Sequence, residues 1–174
     1  DQLDADPDLL NVENGTLDLS NGELRPHCRD DLITKLAPVA FDSEARCPKF
    51  MDFLDQITGG DEELQRYLQM VIGYALTGEV SEQVLFVLHG TGANGKSTFI
   101  NLIQDLMGDY SLQTTTDTFI RKNSSSATNH LARLRGARFV ATVEVAEDSK
   151  LDEVMVKQVT GGDKIGRASC RERV

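Results

Sequence analysis

Gly90-Thr91-Gly92-Ala93-Asn94-Gly95-Lys96-Ser97 matches G-x-x-x-x-G-K-[ST] at every fixed position, and residues of these types at this spacing grip a phosphate chain. The glycines let successive backbone N–H groups curl around phosphate oxygens, and a helix opening at the end of the loop adds its partial positive charge. In that arrangement the Lys96 ammonium reaches the β- and γ-phosphates, and the Ser97 hydroxyl sits on Mg2+. Gly90, Thr91, Gly92, Ala93, Asn94, Gly95, Lys96, Ser97 and Thr98 are therefore the candidate nucleotide-binding set. ATP or another NTP, with Mg2+, is the expected ligand.

Hydrolysis asks for a second group, a carboxylate at the end of another strand that holds Mg2+ and orients the attacking water. Phe139-Val140-Ala141-Thr142-Val143 runs into Glu144, with Glu147 and Asp148 just beyond. Glu144 is the candidate catalytic acid beside Lys96 and, with Ser97, the candidate metal ligand; Glu147 is a further candidate acid. The loop also fits G-x-G-x-x-G at Gly90, Gly92 and Gly95, but a dinucleotide fold needs an acidic residue closing a second strand roughly 20 residues on. Asp109 and Asp117 close no apolar strand, and Lys96-Ser97 has no task in that fold. The sequence holds no guanine-reading N-K-x-D segment either. Two rivals remain. A small-molecule kinase would need a lid with clustered arginines, and Arg133, Arg135 and Arg138 cluster but precede the second strand. A non-catalytic assembly module would use nucleotide only to join subunits.

The elements that must position these groups follow from periodicity. Val84-Leu85-Phe86-Val87-Leu88 is a continuous apolar run, as expected of a parallel strand buried on both faces. A helix is predicted from about Lys96 to Met107, stopped at Gly108, then a second buried strand at 138–143 and a helix over 151–160 closed by Gly161-Gly162. Residues 111–130, rich in Thr, Ser and Asn, read as including loop. Strand–loop–helix followed by strand–helix is an α/β pattern. Upstream, Asn14-Gly15 and Asn21-Gly22 separate alternating apolar residues, the sequence signal for two successive hairpins ending near Leu24. Asp31 to Ala40 reads as a connector closed by Pro38. Pro48 opens a helix to about Ile57, with Phe50, Phe53, Leu54 and Ile57 on one face, and Gly59-Gly60 stops it. Asp61 is a candidate N-cap for a helix whose stripe is Leu64, Leu68, Val71, Ile72, Ala75 and Leu76, ending at Gly78.

Composition bounds the class. Of 174 residues 40% are apolar and 26% charged, the balance of a globular protein, and no apolar run approaches the ~20 residues needed to cross a bilayer. Cys28, Cys47 and Cys170 form no C-x-x-C pair, so neither a zinc site nor a disulfide framework is indicated, and a reducing, cytoplasmic setting is expected. His27, His89 and His130 are likewise scattered. The net charge of −10 argues against a broad static grip on duplex DNA; any DNA contact should use a few local cations, for instance in a ring's central channel. The chain opens on Asp1 rather than Met, which suggests a piece of a longer protein or a processed chain.

Taken with its neighbours, the loop resembles that of phage and plasmid primase-helicases and their poxvirus relatives, the superfamily 3 helicases. The agreement includes Asn94 before the last glycine, Asn14-Gly15-Thr16-Leu17-Asp18-Leu19, Gly22-Glu23-Leu24-Arg25-Pro26-His27 and Gly73-Tyr74-Ala75-Leu76-Thr77-Gly78. Downstream, Leu131 to Arg138 leads into the Glu144 strand, and Lys157-Gln158-Val159-Thr160-Gly161-Gly162-Asp163 is similar to the segment opening the family's DNA-contacting hairpin. The resemblance covers roughly residues 9–165. It implies an incomplete AAA+-like P-loop core at 81–165, preceded over 1–80 by a small β-hairpin and helical region. It further implies a parent protein that forms a ring, usually a homohexamer, translocates on single-stranded DNA and unwinds duplex in phage or plasmid replication inside a bacterial host, often with a primase domain ahead of it. Lys157 and Lys164 are candidates for DNA contact.

There are departures. The family pattern places an arginine five positions after the aspartate matched by Asp163, where this chain has Ala168 beside Arg167. The basic tail at 166–174 is unlike the family and reads as non-native. The family's sensor asparagine and arginine finger would lie further downstream, so this chain by itself is expected to bind nucleotide weakly, if at all, and not to unwind DNA.

Overall fold

In the computed structural model, residues 3–90, 92–115, 119, 134, 136–143 and 151–161 are described. The first three strands form an antiparallel meander: β1 (Leu9–Val12), β2 (Gly15–Asp18) and β3 (Glu23–Arg25). Both hairpins expected from the Asn-Gly pairs form, but the first has a different tip. Val12 pairs with Gly15, so Glu13 and Asn14 make the turn and Gly15 already lies in the strand. Gly15 serves a close approach, since a Cβ there would collide with the Arg25 carbonyl of β3. Asn14 acts as a clamp: its amide donates to the Phe41 carbonyl and accepts from the Phe41 N–H, both at 2.8 Å. It thereby pins the connector to the meander, together with a parallel bridge between Val12 and Ala37.

Two helices follow. Pro48 occupies the first turn of α1 (Pro48–Thr58), where its missing N–H leaves no hydrogen bond unmade. Asp61 caps α2 (Glu62–Thr77) by accepting from the Leu64 N–H at 2.9 Å, and Gly78 closes it. Leu68, Ile72 and Leu76 lie against the core, whereas Leu64, at the head of the expected stripe, is exposed. Helix α3 (Lys96–Met107) is anchored by buried Phe99, Ile103 and Met107. A single 3-10 turn at Gly108–Tyr110 joins it to β4 (Ser111–Thr115), which pairs in parallel with β5 (Phe139–Val143). The last described helix, α4 (Glu153–Thr160), starts two residues later than its periodicity suggests. Asp152 is its cap, with Oδ1 accepting from Val154 and Met155 N–H at 3.0 and 3.2 Å.

One core joins Leu10, Val12 and Leu17 of the meander and Ala37 of the connector to Leu54 of α1 and to Phe99, Ile103, Met107 and Tyr110. A smaller cluster places Met155 of α4 with Leu134, Leu112 and Val140. The described chain is thus α/β, with a three-stranded antiparallel sheet and a two-stranded parallel sheet.

Ser111–Thr115, at the head of the stretch read as including loop, is a strand, because its parallel ladder with β5 outweighs a composition poor in apolar residues. One expectation is corrected. Val84–Leu88, expected as a buried strand, is in no sheet and is exposed, Val87 to 76%. An apolar run becomes a strand only where a neighbour accepts its ladder. Among the described residues the parallel sheet holds β4 and β5 alone, and the run pairs with neither.

Candidate phosphate-binding site

The turn into α3 is built by two left-handed residues, Ala93 at φ 61° and Gly95 at φ 79°. Gly95 is the N-cap and, as a glycine, supplies no side-chain cap to the helix. Glycine is required here twice over. The positive φ is costly for other residues, and a Cβ would sit 2.5 Å from Ile57 Cγ2 and 3.2 Å from Phe53 Cε2. The loop is therefore backed by the C-terminal half of α1, a contact between residues too far apart in the chain for periodicity to signal.

Lys96, the first residue of α3, turns back over the loop. Its Nζ donates to the Gly90 carbonyl at 2.9 Å and to Asn94 Oδ1 at 2.6 Å. Asn94, Gly95 and Lys96 are half-buried, while Gly90, Gly92, Ala93, Ser97 and Thr98 are exposed. The structure thus brings these eight sequence-identified residues into one turn around the helix start, and Thr91 lies outside the described residues.

Glu144, Glu147 and Asp148 also lie outside the described residues, as do Lys164 and the 166–174 tail. What is described is the strand that leads to Glu144. β5 ends at Val143, parallel to β4, and α3 packs against both. Lys157 is exposed on α4.

Arg138 stands one residue before β5 and was read only as part of an arginine cluster. Its guanidinium donates to the carbonyls of Leu76 (2.7 Å), Leu9 (2.7 Å) and Asp6 (3.1 Å) and lies 4.7 Å from the Tyr110 ring centre. Desolvation holds its pKa below the ordinary value, with Tyr110 and nearby aspartates opposing. It is a structural junction tying α2 and β1 to β5, which disposes of it as a kinase-lid arginine. Away from the loop an open groove of about 500 Å3 is lined by Asn11, Glu13, Thr16, His27 and Lys35 among others. Its polar groups already serve one another: His27 Nδ1 is 2.7 Å from Asn11 Oδ1, and Asn11 Nδ2 donates to the Lys35 carbonyl at 3.1 Å.

Residues 1–59 match the family described as D5 N terminal like. A helicase-named protein of Acanthamoeba polyphaga mimivirus is 32% identical to this chain over 179 residues. The chain is a homologue of viral helicase-named proteins. The mimivirus match takes in 99% of this chain and 18% of its relative. A helicase-named protein of Invertebrate iridescent virus 6 is 26% identical over 93% of the chain and 17% of its own length. Another, of the Sputnik virophage, is 31% identical over 58% of the chain and 14% of its own length. The resemblance to the primase-helicase family is thereby borne out, with the D5-type region at the N-terminal end. The chain spans less than a fifth of the length of these helicase-named relatives.

Proposed function

We propose that this chain carries the nucleotide-gripping part of the motor of an ATP-driven DNA helicase. The observation that carries the reading is Lys96, whose ammonium reaches over a glycine turn at the start of α3 to two neutral oxygens among the described residues, the Gly90 carbonyl and Asn94 Oδ1. Phosphate oxygens are stronger acceptors than either, because the hydrogen bond is then charged on both sides. The residues present suit a triphosphate: backbone N–H groups at a helix start, the Lys96 ammonium, and hydroxyls at Ser97 and Thr98 in the first turn. Ser97 and Glu144 would be the residues to hold Mg2+, which would supply charge neutralisation to the phosphates.

The direction of β5 supports the part given to Glu144. β4 and β5 run parallel, and α3, joined to β4 by one turn, contacts both, as a helix that follows a phosphate loop and covers the strand before a catalytic acid should. The parallel pair with a covering helix also supports a P-loop core of the AAA+ kind over 81–165. In the longer protein we expect a homohexameric ring with single-stranded DNA in its channel. A charge of −10 favours such local contact over a broad basic face.

Titration of the 174-residue chain with a fluorescent ATP analogue and Mg2+ tests the reading. Lys96→Ala should weaken binding about 10- to 100-fold, the loss expected for a charged hydrogen-bond partner. Equal affinity in the two proteins would remove the phosphate loop from consideration.

A further inference from the structure

Asn94 stands at a position that the phosphate-loop pattern leaves free, yet its side chain touches both ends of the loop. Its Oδ1 accepts from Lys96 Nζ at 2.6 Å. Its Nδ2 lies so close to Gly90 that a Cβ on that glycine would overlap it. The carboxamide therefore reaches from the first glycine of the loop to the lysine, and the Gly90 carbonyl takes a second Lys96 hydrogen bond at 2.9 Å. Phosphates cradled by the backbone of this loop and held by Lys96 would need the space and the donor that this amide engages.

We propose that Asn94 is a plug on the empty loop, a positioning residue that holds Lys96 inward until a triphosphate displaces its carboxamide. The inference rests on the phosphate-binding reading of the same loop and adds a regulatory step to it. A neutral amide suits the task, since it satisfies the ammonium without the tenacity of a carboxylate and yields to an anion. Removing the amide should therefore ease entry of nucleotide. A residue that contacts bound nucleotide, or that merely organises the loop, gives the opposite result on removal. Asn94 is not among the residues with positive φ, so alanine or serine introduces no left-handed strain there.

The test is stopped-flow and equilibrium binding of methylanthraniloyl-ATP with Mg2+ to the 174-residue chain, with melting midpoints measured alongside. Asn94→Ala should associate about 3- to 10-fold faster and bind tighter by the same factor, with dissociation little changed. Asn94→Ser, too short to span Gly90 and Lys96, should behave alike and serves if the alanine variant folds poorly. Slower association or unchanged affinity in both variants overturns the plug. Lys96→Ala separates the two levels. If it abolishes binding while the Asn94 variants fail to tighten it, the phosphate loop stands and the plug falls. If it binds as the unsubstituted chain does, or that chain shows no binding, both fall.

Discussion

Tyr110 is 1% exposed and the fold spends both faces of its hydroxyl. The oxygen accepts from the Asn11 N–H at 3.0 Å and the O–H donates to the Lys35 carbonyl at 3.3 Å, joining β1 to the connector. The Arg138 guanidinium covers the ring. Burial pushes the phenol above its ordinary value of 10.0, with the Asn11 N–H and Arg138 pulling the other way. Tyr110→Phe should cost about 1–2 kcal/mol in denaturant unfolding, the usual range for stranding buried partners. A folded pKa above the unfolded one means that the native state keeps its proton longer. Tyr110's contribution is therefore full below pH 10 and declines as pH rises through the window above it. Unfolding free energy should fall more steeply above pH 10 in the unsubstituted protein than in the phenylalanine variant.

Among the elements, α1 has a double part. Leu54 anchors it in the common core, and Phe53 and Ile57 form the floor beneath Gly95. The D5-type match over 1–59 includes this helix, so the region ahead of the phosphate loop also shapes it. Gly95→Ala meets both the positive φ and the Ile57 methyl. We expect a loss of about 1–3 kcal/mol in stability, the scale of a left-handed strain, and at least a tenfold rise in the dissociation constant for the fluorescent ATP analogue. A variant with unchanged affinity would show that α1 does not set the loop's geometry.

At the scale of the molecule, the meander, α1 and α3 share one core, and Arg138 ties the end of α2 and β1 to the start of β5. The strand leading to Glu144 is thus referenced to the same body as the phosphate loop. On the proposed reading, Glu144→Gln in the longer protein should leave ATP binding intact while steady-state hydrolysis falls about 100-fold or more, as removal of a general base does. Hydrolysis at the original rate would transfer the catalytic role to another carboxylate, with Glu147 first in line.

What the sequence determined by itself was local. The G-x-x-x-x-G-K-S loop, the helix starts at Pro48 and Lys96, the Asp61 cap and the helix-ending Gly59, Gly78 and Gly108 are all set within a few residues, by φ preference and by side chains that reach their own backbone. The Phe139–Val143 strand was legible for a related reason, as a short apolar run before an acidic residue. Tertiary structure decided the rest, because it depends on partners distant in the chain. Ser111–Thr115 became a strand through its ladder with β5, while the more apolar Val84–Leu88 run found none among the described residues and lies exposed. Asn14 was read as a turn residue and serves as a clamp on Phe41. Arg138 was read as one of a cluster of charges and is a half-buried link among three carbonyls. Even within the loop, the types and spacing led to the proposal of a phosphate grip, but only the fold revealed the loop's floor at Ile57 and its Asn94–Lys96 contact.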